Sequence, residues 1–543
     1  MRKKYIEGTP RNQLVLFTET IDSIIDELDP VRFIDVYVDS LSLTDLGIEE
    51  NESIKGRPKY HPLLFLKIYI YCYLNKIRSS RNIEIACKKN IDLIWLTQQL
   101  TPDHWSINEF RKKNGKVLKA TVKEFMKFCY KLDLISLDLV AVDGTKMRAD
   151  NSRLNVITRE NIEKREERIS MKIDEYLKEI DNNDSKEKDE FGFLADNIPK
   201  RIKNLEKVQK KLREARGEFE NNTDLNKIFM TDPDSRFQKD NGRIIPGYNA
   251  QTLVDNKHKL IIATSVTNES NDLKQLIPMH QKLQKVKKDF KANKKTTLIA
   301  DAGYFLETNI FTVSNDEHID LYVADPKKIK RKEKQGKSKP NQVPSKGYKK
   351  EDFRYDENLD IFFCPENHPL EKVSQGSNKN SRIIIKHRCR MCKSCDKLHL
   401  CTNNKDGRYI DVSKNHYELV QFRKKISSSI GKKIVAKRKE IVEHPFGTIK
   451  WNWGFSYFMQ RRLEQVDTEF NFMSFIYNLK RVIKIIGIKK LIEVVKANKN
   501  IKNGFIKLFF LKVFYKFISE VHFSHSLSAN DHELSHDLAN LLL

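Results

Sequence analysis

Apolar residues recur at helical spacing between residues 12 and 130. They lie three or four positions apart, as at Ile21, Ile24 and Leu28, and the alternation typical of strands is almost absent. The pattern predicts an all-α module, which we place at residues 1–135.

Basic residues accompany the apolar pattern of this module. A basic turn with Arg57 and Lys59 leads into the apolar run 63–74, and the short helices that follow carry residues such as Arg78 and Arg111. Successive short helices with exposed basic side chains fit a helix-turn-helix-like DNA-binding module, with Arg57 and Lys59 as candidate contacts. A helical packing domain fits the same pattern, because a sequence does not show which helix enters a groove.

The pattern changes to short apolar strands after residue 136. One strand is predicted from 137 to 143, where it stops at a Gly-Thr turn. A hairpin is predicted from 248–255 and 260–267, and two further strands, 297–301 and 319–325, each end in Asp. Together with the helix predicted between them, these strands indicate an α/β core.

Two charged insertions interrupt this core. Residues 158–217 carry two apolar stripes at helical spacing, which predict a helical hairpin of coiled-coil type. Its role is open between an arm for DNA or dimer contact and a solvated spacer. Residues 327–350 contain 11 Lys or Arg and one Glu, which predict a flexible basic loop that is either simply solvated or follows phosphates.

The charge balance points to a polyanionic partner. The chain of 543 residues contains 100 Lys plus Arg against 74 Asp plus Glu, a formal net charge of +26. This excess favours nucleic acid, although a biased genome produces the same composition. A hydrophobic content of 39% is enough to form real cores, so disorder of the whole chain is excluded.

A membrane role is not indicated by the sequence. No apolar run reaches the length of about 18 residues that a spanning helix needs, and Lys67 interrupts the stretch 63–74. The N-terminal residues lack the apolar core of a secretory signal. We therefore expect a protein of the reducing cytoplasm, whose cysteines are thiols or metal ligands.

Five of the eight cysteines lie between residues 364 and 401. Cys392 and Cys395 have the two-residue gap that lets both thiolates face one tetrahedral metal, and Cys389 and Cys392 repeat it. A zinc site and a group of reduced thiols without metal are the two interpretations.

Three carboxylates lie at predicted element boundaries. Asp143 and Asp301 end apolar strands, and Glu443 lies on or beside a helix. Oxygen ligands from two strands and one helix can hold two hard divalent cations, an arrangement suited to phosphodiester cleavage. Asp255 and Asp325 also follow strands, so the pattern alone leaves them as rivals.

Seven motifs extend these observations along the chain. In chain order they are Lys55-Gly56-Arg57-Pro58, Val142-Asp143-Gly144-Thr145-Lys146, Asp232-Pro233-Asp234-Ser235-Arg236, Gly247-Tyr248-Asn249-Ala250-Gln251, Ala300-Asp301-Ala302-Gly303-Tyr304, Glu443-His444-Pro445-Phe446-Gly447-Thr448-Ile449-Lys450 and Tyr477-Asn478-Leu479-Lys480-Arg481. With these motifs the sequence resembles the DDE transposases of bacterial insertion sequences, specifically those with a helical N-terminal domain and a split RNase H-like core. The resemblance covers residues 10–485.

The resemblance implies roles for particular residues. Asp143, Asp301 and Glu443 are expected to be the catalytic triad that binds two Mg²⁺ or Mn²⁺ ions. Related transposases hold the transposon-end phosphates with a Tyr, an Arg and a Lys around the catalytic Glu. The Arg and Lys places are matched here by Arg438, with Lys439 as an alternative on the same turn, and by Lys450.

One departure from the family pattern concerns the aromatic contact. Val435 or Ala436 stands where the Tyr is expected, which puts that contact in doubt but not the metal site.

The resemblance also selects among the cysteines. It implies a structural zinc knuckle formed by Cys364, Cys392, Cys395 and Cys401, with Cys389 as an alternative ligand. Four protein ligands close such a site, so this zinc would stabilise a small subdomain and take no part in catalysis.

The implied fold is an α/β RNase H-like core, a mixed sheet flanked by helices. The expected division is an all-α DNA-binding domain at 1–135, a first part of the core at 136–325 interrupted by the hairpin 158–217, a basic loop and Cys-rich zinc-type insertion at 326–430, the catalytic-Glu helix and following helices at 431–490, and C-terminal accessory helices at 491–543.

The implied function is that of an insertion-sequence transposase. It would bind terminal inverted repeats in double-stranded DNA and catalyse metal-dependent strand cleavage and strand transfer, as a homo-oligomer on DNA at the nucleoid. A catalytically inactive or domesticated zinc-dependent DNA-binding protein and an RNase H-like nuclease are the alternatives. The intact triad argues against the first, and the helical N-terminal module is not needed by the second.

Overall fold

The computed structural model describes the chain in several stretches. These are residues 20–48, 59–152, 155–184, 198–223, 225–326, 348–377, 383–402, 404 and 406–502. Arg57, most of the predicted basic loop and all but the first part of the C-terminal accessory segment lie outside the described residues. None of the helices in the described stretches is both long enough and apolar enough to cross a membrane.

Helices occupy much of the described chain. In chain order they are α1 (Ile21–Ile24), α2 (Pro30–Asp39), α3 (Pro62–Leu74), α4 (Ser80–Lys89), α5 (Ile91–Leu96), α6 (His104–Lys113), α7 (Gly115–Lys131), α8 (Ile162–Asp184), α9 (Ile198–Asn221), α10 (Leu276–Phe290), α11 (Glu307–Ser314), α12 (Leu398–Cys401), α13 (His416–Ser427), α14 (Ser429–Phe446), α15 (Leu463–Ile486) and α16 (Ile488–Lys502). A π-helical segment, Gly447–Asn452, follows α14 directly.

The strands all lie between residues 139 and 413 within the described part of the chain. They are β1 (Leu139–Arg148), β2 (Val156–Thr158), β3 (Lys227–Phe229), β4 (Arg236–Asp240), β5 (Arg243–Asp255), β6 (Ile261–Thr267), β7 (Thr296–Ala300), β8 (Ile319–Val323), β9 (Arg354–Asp356), β10 (Ile361–Phe363), β11 (Pro369–Ser377), β12 (Ile383–Cys389) and β13 (Tyr409–Ser413).

The chain forms two compact units. The first comprises residues 1–129 together with 453–543, and its described part is helical. α3 is apolar along almost its whole length because other helices surround it, among them α2 and α15. The predicted division placed residues 453–490 with the catalytic core, whereas in the structure they belong to the unit of the N-terminal helices.

Two basic residues of the first unit differ from expectation. Arg78 and Arg111 were expected to be exposed, but both are buried. Arg78 forms an ion pair of 2.7 Å with buried Glu469 and stacks on Phe455, and Arg111 donates to the Tyr73 hydroxyl. Because these cations are buried with partners inside the unit, they belong to its core and are not exposed for contact with DNA.

The second unit, residues 130–452, contains a mixed sheet. Its order is β4-β5-β1-β7-β8, and β6 also pairs with β5. β1 is antiparallel to β5 and parallel to β7, which is in turn parallel to β8. α10 packs on β5 and β6, and α14 packs on β1, β7 and β8. The predicted α/β class, a mixed sheet flanked by helices, is confirmed.

β1 is longer than predicted. The Gly-Thr turn after Asp143 does not form, and the strand continues through Gly144 to Arg148. The reason is the partner strand β5, which pairs with β1 from Val140 to Arg148 without interruption. Asp143 therefore lies within a strand, whereas Asp301 directly follows one, as predicted.

Both regions predicted as insertions have their own cores. α8 and α9 contact each other above the paired strands β2 and β3, around a cluster that includes Ile162, Leu212 and Phe219. A second sheet, β13-β12-β11-β10-β9, packs around Phe362 and Leu370 and carries the clustered cysteines.

Candidate active site

The parallel pair β1 and β7 places two aspartates side by side. Its register joins Ala141 to Ile299, so Asp143 and Asp301 are both two residues farther along neighbouring strands. Parallel strands lie about 4.8 Å apart, and matched positions on them are adjacent. The two carboxylates predicted from the strand ends are thus brought together.

Main-chain amides orient both carboxylates. Asp143 Oδ1 accepts from the Gly144 N–H at 2.9 Å. Asp301 caps the short 3₁₀ helix Ala302–Tyr304, because its Oδ1 accepts from the Gly303 N–H at 2.8 Å. Sterics also favour glycine at the third position of the Asp-Ala-Gly motif, because a Cβ on Gly303 would lie only 3.0 Å from Asp301 Oδ1.

The electrostatics of this pair are those of buried, mutually repelling acids. Burial raises the pKa of the Asp143 carboxyl to about 6; the Arg438 guanidinium opposes the rise, and the Asp301 charge adds to it. The pKa of Asp301 is also raised, mainly by burial, and the negative charge of Asp272 contributes to the rise. A cation between the two carboxylates would relieve both the burial and the repulsion.

Asp272 is a site residue that the sequence analysis missed. It lies in the loop between β6 and α10. Its Oδ1 accepts from Asn249 Nδ2 at 2.7 Å and from Gln251 Nε2 at 2.8 Å, and it lies 3.5 Å from Lys146 Nζ. Asn249 and Gln251 are both fully buried, so this acceptor satisfies side chains that would otherwise carry an unpaired donor.

The network around Asp272 extends to the loop of Asp301. Gln251 uses its other amide atom, Oε1, to accept from the buried Tyr304 hydroxyl. Asn249 and Gln251 lie opposite Lys146 and Gly144 across the β1–β5 pair. The space above Gly144 is filled by this network, which explains the glycine in the Val-Asp-Gly-Thr motif.

The predicted basic residues have different environments. Arg438 Nη1 donates to Asp143 Oδ2 at 2.7 Å, with both side chains mostly buried. Lys450 is buried, donates to the main-chain carbonyl of Lys146 at 2.9 Å and pairs with Asp240. Lys439, like Lys59 in the first unit, is exposed.

Glu443 lies on α14, five residues after Arg438, and its side chain is exposed. The contacts described for this part of the chain do not include one between Glu443 and either Asp143 or Asp301. The structure thus brings Asp143, Asp301 and Arg438 together. Glu443 lies on α14, the helix of Arg438, but is not in contact with the two aspartates among the interactions described.

Carboxylate oxygens are the ligands that Mg²⁺ and Mn²⁺ prefer, so Asp143 and Asp301 fit as two of the ligands of such an ion. In the described stretches, however, no group of three or more His, Cys, Asp or Glu side chains is arranged to hold a metal ion. A complete ligand set needs a third donor to move toward the pair.

The rival aspartates have structural partners. Asp255 is buried and accepts from the Leu137 N–H at 2.8 Å, which fixes the approach to β1. Asp325 is buried beside Arg423 at 3.3 Å. Neither contacts Asp143 or Asp301 among the interactions described.

The clustered cysteines surround one small cavity of about 20 Å³. Its lining includes Cys364, Cys389, Cys392, Cys395 and Cys401. The His368 N–H donates to Cys364 Sγ at 3.2 Å, and the Arg408 N–H donates to Cys392 Sγ at 3.4 Å.

Two family models match the sequence. The model "Transposase DDE domain" matches residues 363–483, which include Glu443 but neither Asp143 nor Asp301. The model "Transposase domain (DUF772)" matches residues 19–113. These matches confirm the predicted resemblance to insertion-sequence DDE transposases, and they support a DNA transposase. A DDE domain implies an enzyme of metal-dependent DNA cleavage and strand transfer.

No curated protein matches the sequence. A solved structure that is similar is the cryo-EM structure of the piggyBac transposase synaptic complex with hairpin DNA, at 9% identity, covering 94% of this chain and 87% of that chain with a TM-score of 0.29. A likeness with so low a TM-score supports no structural argument.

Proposed function

We propose that this chain is the transposase of an insertion sequence that binds the element's terminal inverted repeats and cleaves and joins DNA strands at the core of the second unit. The observation that carries the proposal is the parallel register of β1 and β7, which sets Asp143 beside Asp301. The mixed sheet is then an RNase H-like core, and the α8–α9 pair is its helical-hairpin insertion.

The catalytic residues of the proposal are Asp143, Asp301 and Glu443. When bound, two Mg²⁺ or Mn²⁺ ions would polarise the scissile phosphate and favour deprotonation of the attacking water or 3′ hydroxyl. Asp143 and Asp301 would hold them from rigid strand positions, and α14 would supply Glu443. Arg438 offers the phosphate a charged donor once it leaves Asp143.

DNA contacts in the proposal come from several surfaces. Exposed Lys439 lies on the Glu443 helix, and exposed Lys59 precedes α3 in the unit that matches the DUF772 transposase domain. The excess of positive charge supports a salt-dependent contribution to binding of double-stranded DNA. Assembly as a homo-oligomer on DNA, in the cytoplasm at the nucleoid, belongs to the same proposal.

A structural zinc ion in the Cys-rich insertion completes the proposal. The cysteines line a cavity about the size of one atom, and two main-chain amides already donate to sulfur. Cys364, Cys392, Cys395 and Cys401 are the proposed ligands, with Cys389 as the alternative. Their side chains would have to move closer together around the ion, because the described residues present no group of three such side chains already arranged to hold a metal.

The test is single-turnover cleavage of a duplex that carries the inverted repeat flanking the gene. Asp143→Asn, Asp301→Asn and Glu443→Gln are expected to abolish cleavage in Mg²⁺ and Mn²⁺ while repeat binding persists. Glu440→Gln is the matched control, because Glu440 is exposed on the same helix. Wild-type protein that binds the repeat without cleaving it would indicate a domesticated DNA-binding protein, and cleavage without strand transfer would indicate a nuclease.

A further inference from the structure

Lys450 is engaged inside the protein. Its Nζ lies 3.0 Å from Asp240 Oδ2 and donates to the main-chain carbonyl of Lys146 at 2.9 Å. The side chain is only 9% exposed. A buried ammonium that has both a carboxylate and a carbonyl as acceptors is well satisfied where it is, and extending it to a DNA phosphate would leave Asp240 without this partner.

The local fold brings both partners to this place. Asp240 ends β4 at a two-residue turn whose residues Asn241 and Gly242 have φ of 47° and 79°, the left-handed values of a tight hairpin. On the other side, Pro445 lies inside α14 without an N–H to donate, and the helix widens into the π-helical segment that carries Lys450. Both partners therefore lie on regular secondary structure, Asp240 at the end of β4 and Lys450 in the π-helical segment.

A second polar contact joins β1 to α14, the helix that the segment of Lys450 continues. Arg438 binds the side chain of Asp143, and Lys450 binds the main chain of Lys146, three residues farther along β1. Glu443 lies between the two contacts. A helical segment attached at both ends is restrained from sliding or rotating along the strand, which is how a catalytic side chain is held in position.

We propose that Lys450 and Asp240 form a buried strut that positions the Glu443 segment against β1. Asp240 and Lys450 are then positioning residues for strand cleavage, and Lys450 is not a phosphate contact. The inference rests on the proposed function, since it assigns a role to the strut in presenting Glu443.

DNA binding separates a strut from a phosphate contact. A neutral side chain of similar length, as in Lys450→Met, is expected to leave the dissociation constant for the repeat duplex within about twofold of wild type and the salt dependence unchanged. A phosphate contact would instead lower the slope of log K against log salt by about one. Lys439→Met is the comparison for the loss of an exposed lysine, because Lys439 lies on the surface of α14, the helix that precedes the segment of Lys450.

Cleavage at saturating DNA tests the pairing itself. Lys450→Met and Asp240→Asn are each expected to slow single-turnover cleavage at least about tenfold, because small displacements of reacting groups are costly. The double variant should be no slower than the slower single variant, since both remove one contact. Lys450→Arg keeps the charge and donors and should retain most of the rate. Normal cleavage by Asp240→Asn together with weakened, less salt-dependent binding by Lys450→Met would overturn the strut.

Hydrogen exchange gives a result that does not depend on activity. In the full-length protein without DNA, Asp240→Asn and Lys450→Met should both speed amide exchange in residues 443–452 and leave β7 unchanged. Unchanged exchange in both variants would overturn the strut even if cleavage is lost. If both variants exchange faster but the wild-type protein does not cleave DNA, the strut is supported and only the proposed function is refuted.

Discussion

Replacing Gly144 by alanine tests the buried network beside the candidate active site. A Cβ on Gly144 would lie 2.3 Å from Gln251 Nε2, 2.9 Å from Asp272 Oδ1 and 3.0 Å from Asn249 Oδ1. The nearest atom is the end of a side chain, which would usually be free to move. Here Gln251 is fully buried and hydrogen-bonded through both ends of its amide, so moving it breaks contacts to Asp272 or Tyr304.

The expected cost combines two effects. Forcing a methyl group into a packed site costs about 1 to 3 kcal/mol. Leaving a buried amide or carboxylate without its hydrogen bond costs about 1 to 3 kcal/mol more. We therefore expect Gly144→Ala to destabilise the second unit by about 2 to 6 kcal/mol and to displace Asp272 and the Asp301 loop, with loss of cleavage.

Urea unfolding followed by circular dichroism measures this effect, alongside single-turnover cleavage. Gly376→Ala is the control, because Gly376 also lies in a strand of the second unit and an added Cβ there has no atom within 4 Å. Wild-type stability and cleavage in Gly144→Ala would refute the network, since a methyl group cannot share the position of Gln251 as the structure places it.

Two further predictions concern pH and zinc. Folding raises the pKa of Asp143 from 3.8 to about 6, so the folded state binds this proton more tightly and its contribution to stability is lost as the pH rises through 6. Two pKa units correspond to about 3 kcal/mol of stability. The free energy of unfolding of wild type should therefore fall by that much relative to Asp143→Asn between pH 4 and 8, and Mg²⁺ should restore part of the loss at pH 8. Equal pH profiles of the two proteins would contradict the pKa shift. Purified wild-type protein should contain about one zinc per chain. The Cys392→Ser variant should lose the zinc, and its Cys-rich insertion should unfold at a lower temperature. A zinc content well below half an equivalent in wild type would favour thiols without metal.

Asp143 and Asp301 could be predicted as site residues from the local sequence around each of them. Asp143 and Asp301 each follow a short apolar run, and a run of that kind in an α/β protein is a buried strand. The strand pairing then brings them together, a step that depends on register but not on any unusual contact. The length of β1 beyond Asp143 was not predictable, because it depends on pairing with β5 about a hundred residues later in the chain.

Asp272 and Asp240 illustrate what local patterns miss. Asp272 lies in a polar loop with no periodicity, and its position at the site depends on Asn249 and Gln251 facing it from a buried strand. An Asn and a Gln two positions apart in an otherwise apolar strand are the one available signal, because buried amides need partners. Asp240 resembles any turn residue, and only the fold shows that Lys450 reaches it.

We propose that Asp143 within β1 and Asp301 directly after β7 form a cation-binding catalytic site, and iron-directed cleavage of the protein tests this proposal most directly. Fe²⁺ in place of Mg²⁺, with ascorbate and peroxide, produces radicals that cut the polypeptide close to the bound ion. We predict cuts near Asp143 and Asp301, suppressed by excess Mg²⁺ and absent from Asp143→Asn. Cutting elsewhere alone, or cutting that Asp143→Asn leaves unchanged, would contradict the account.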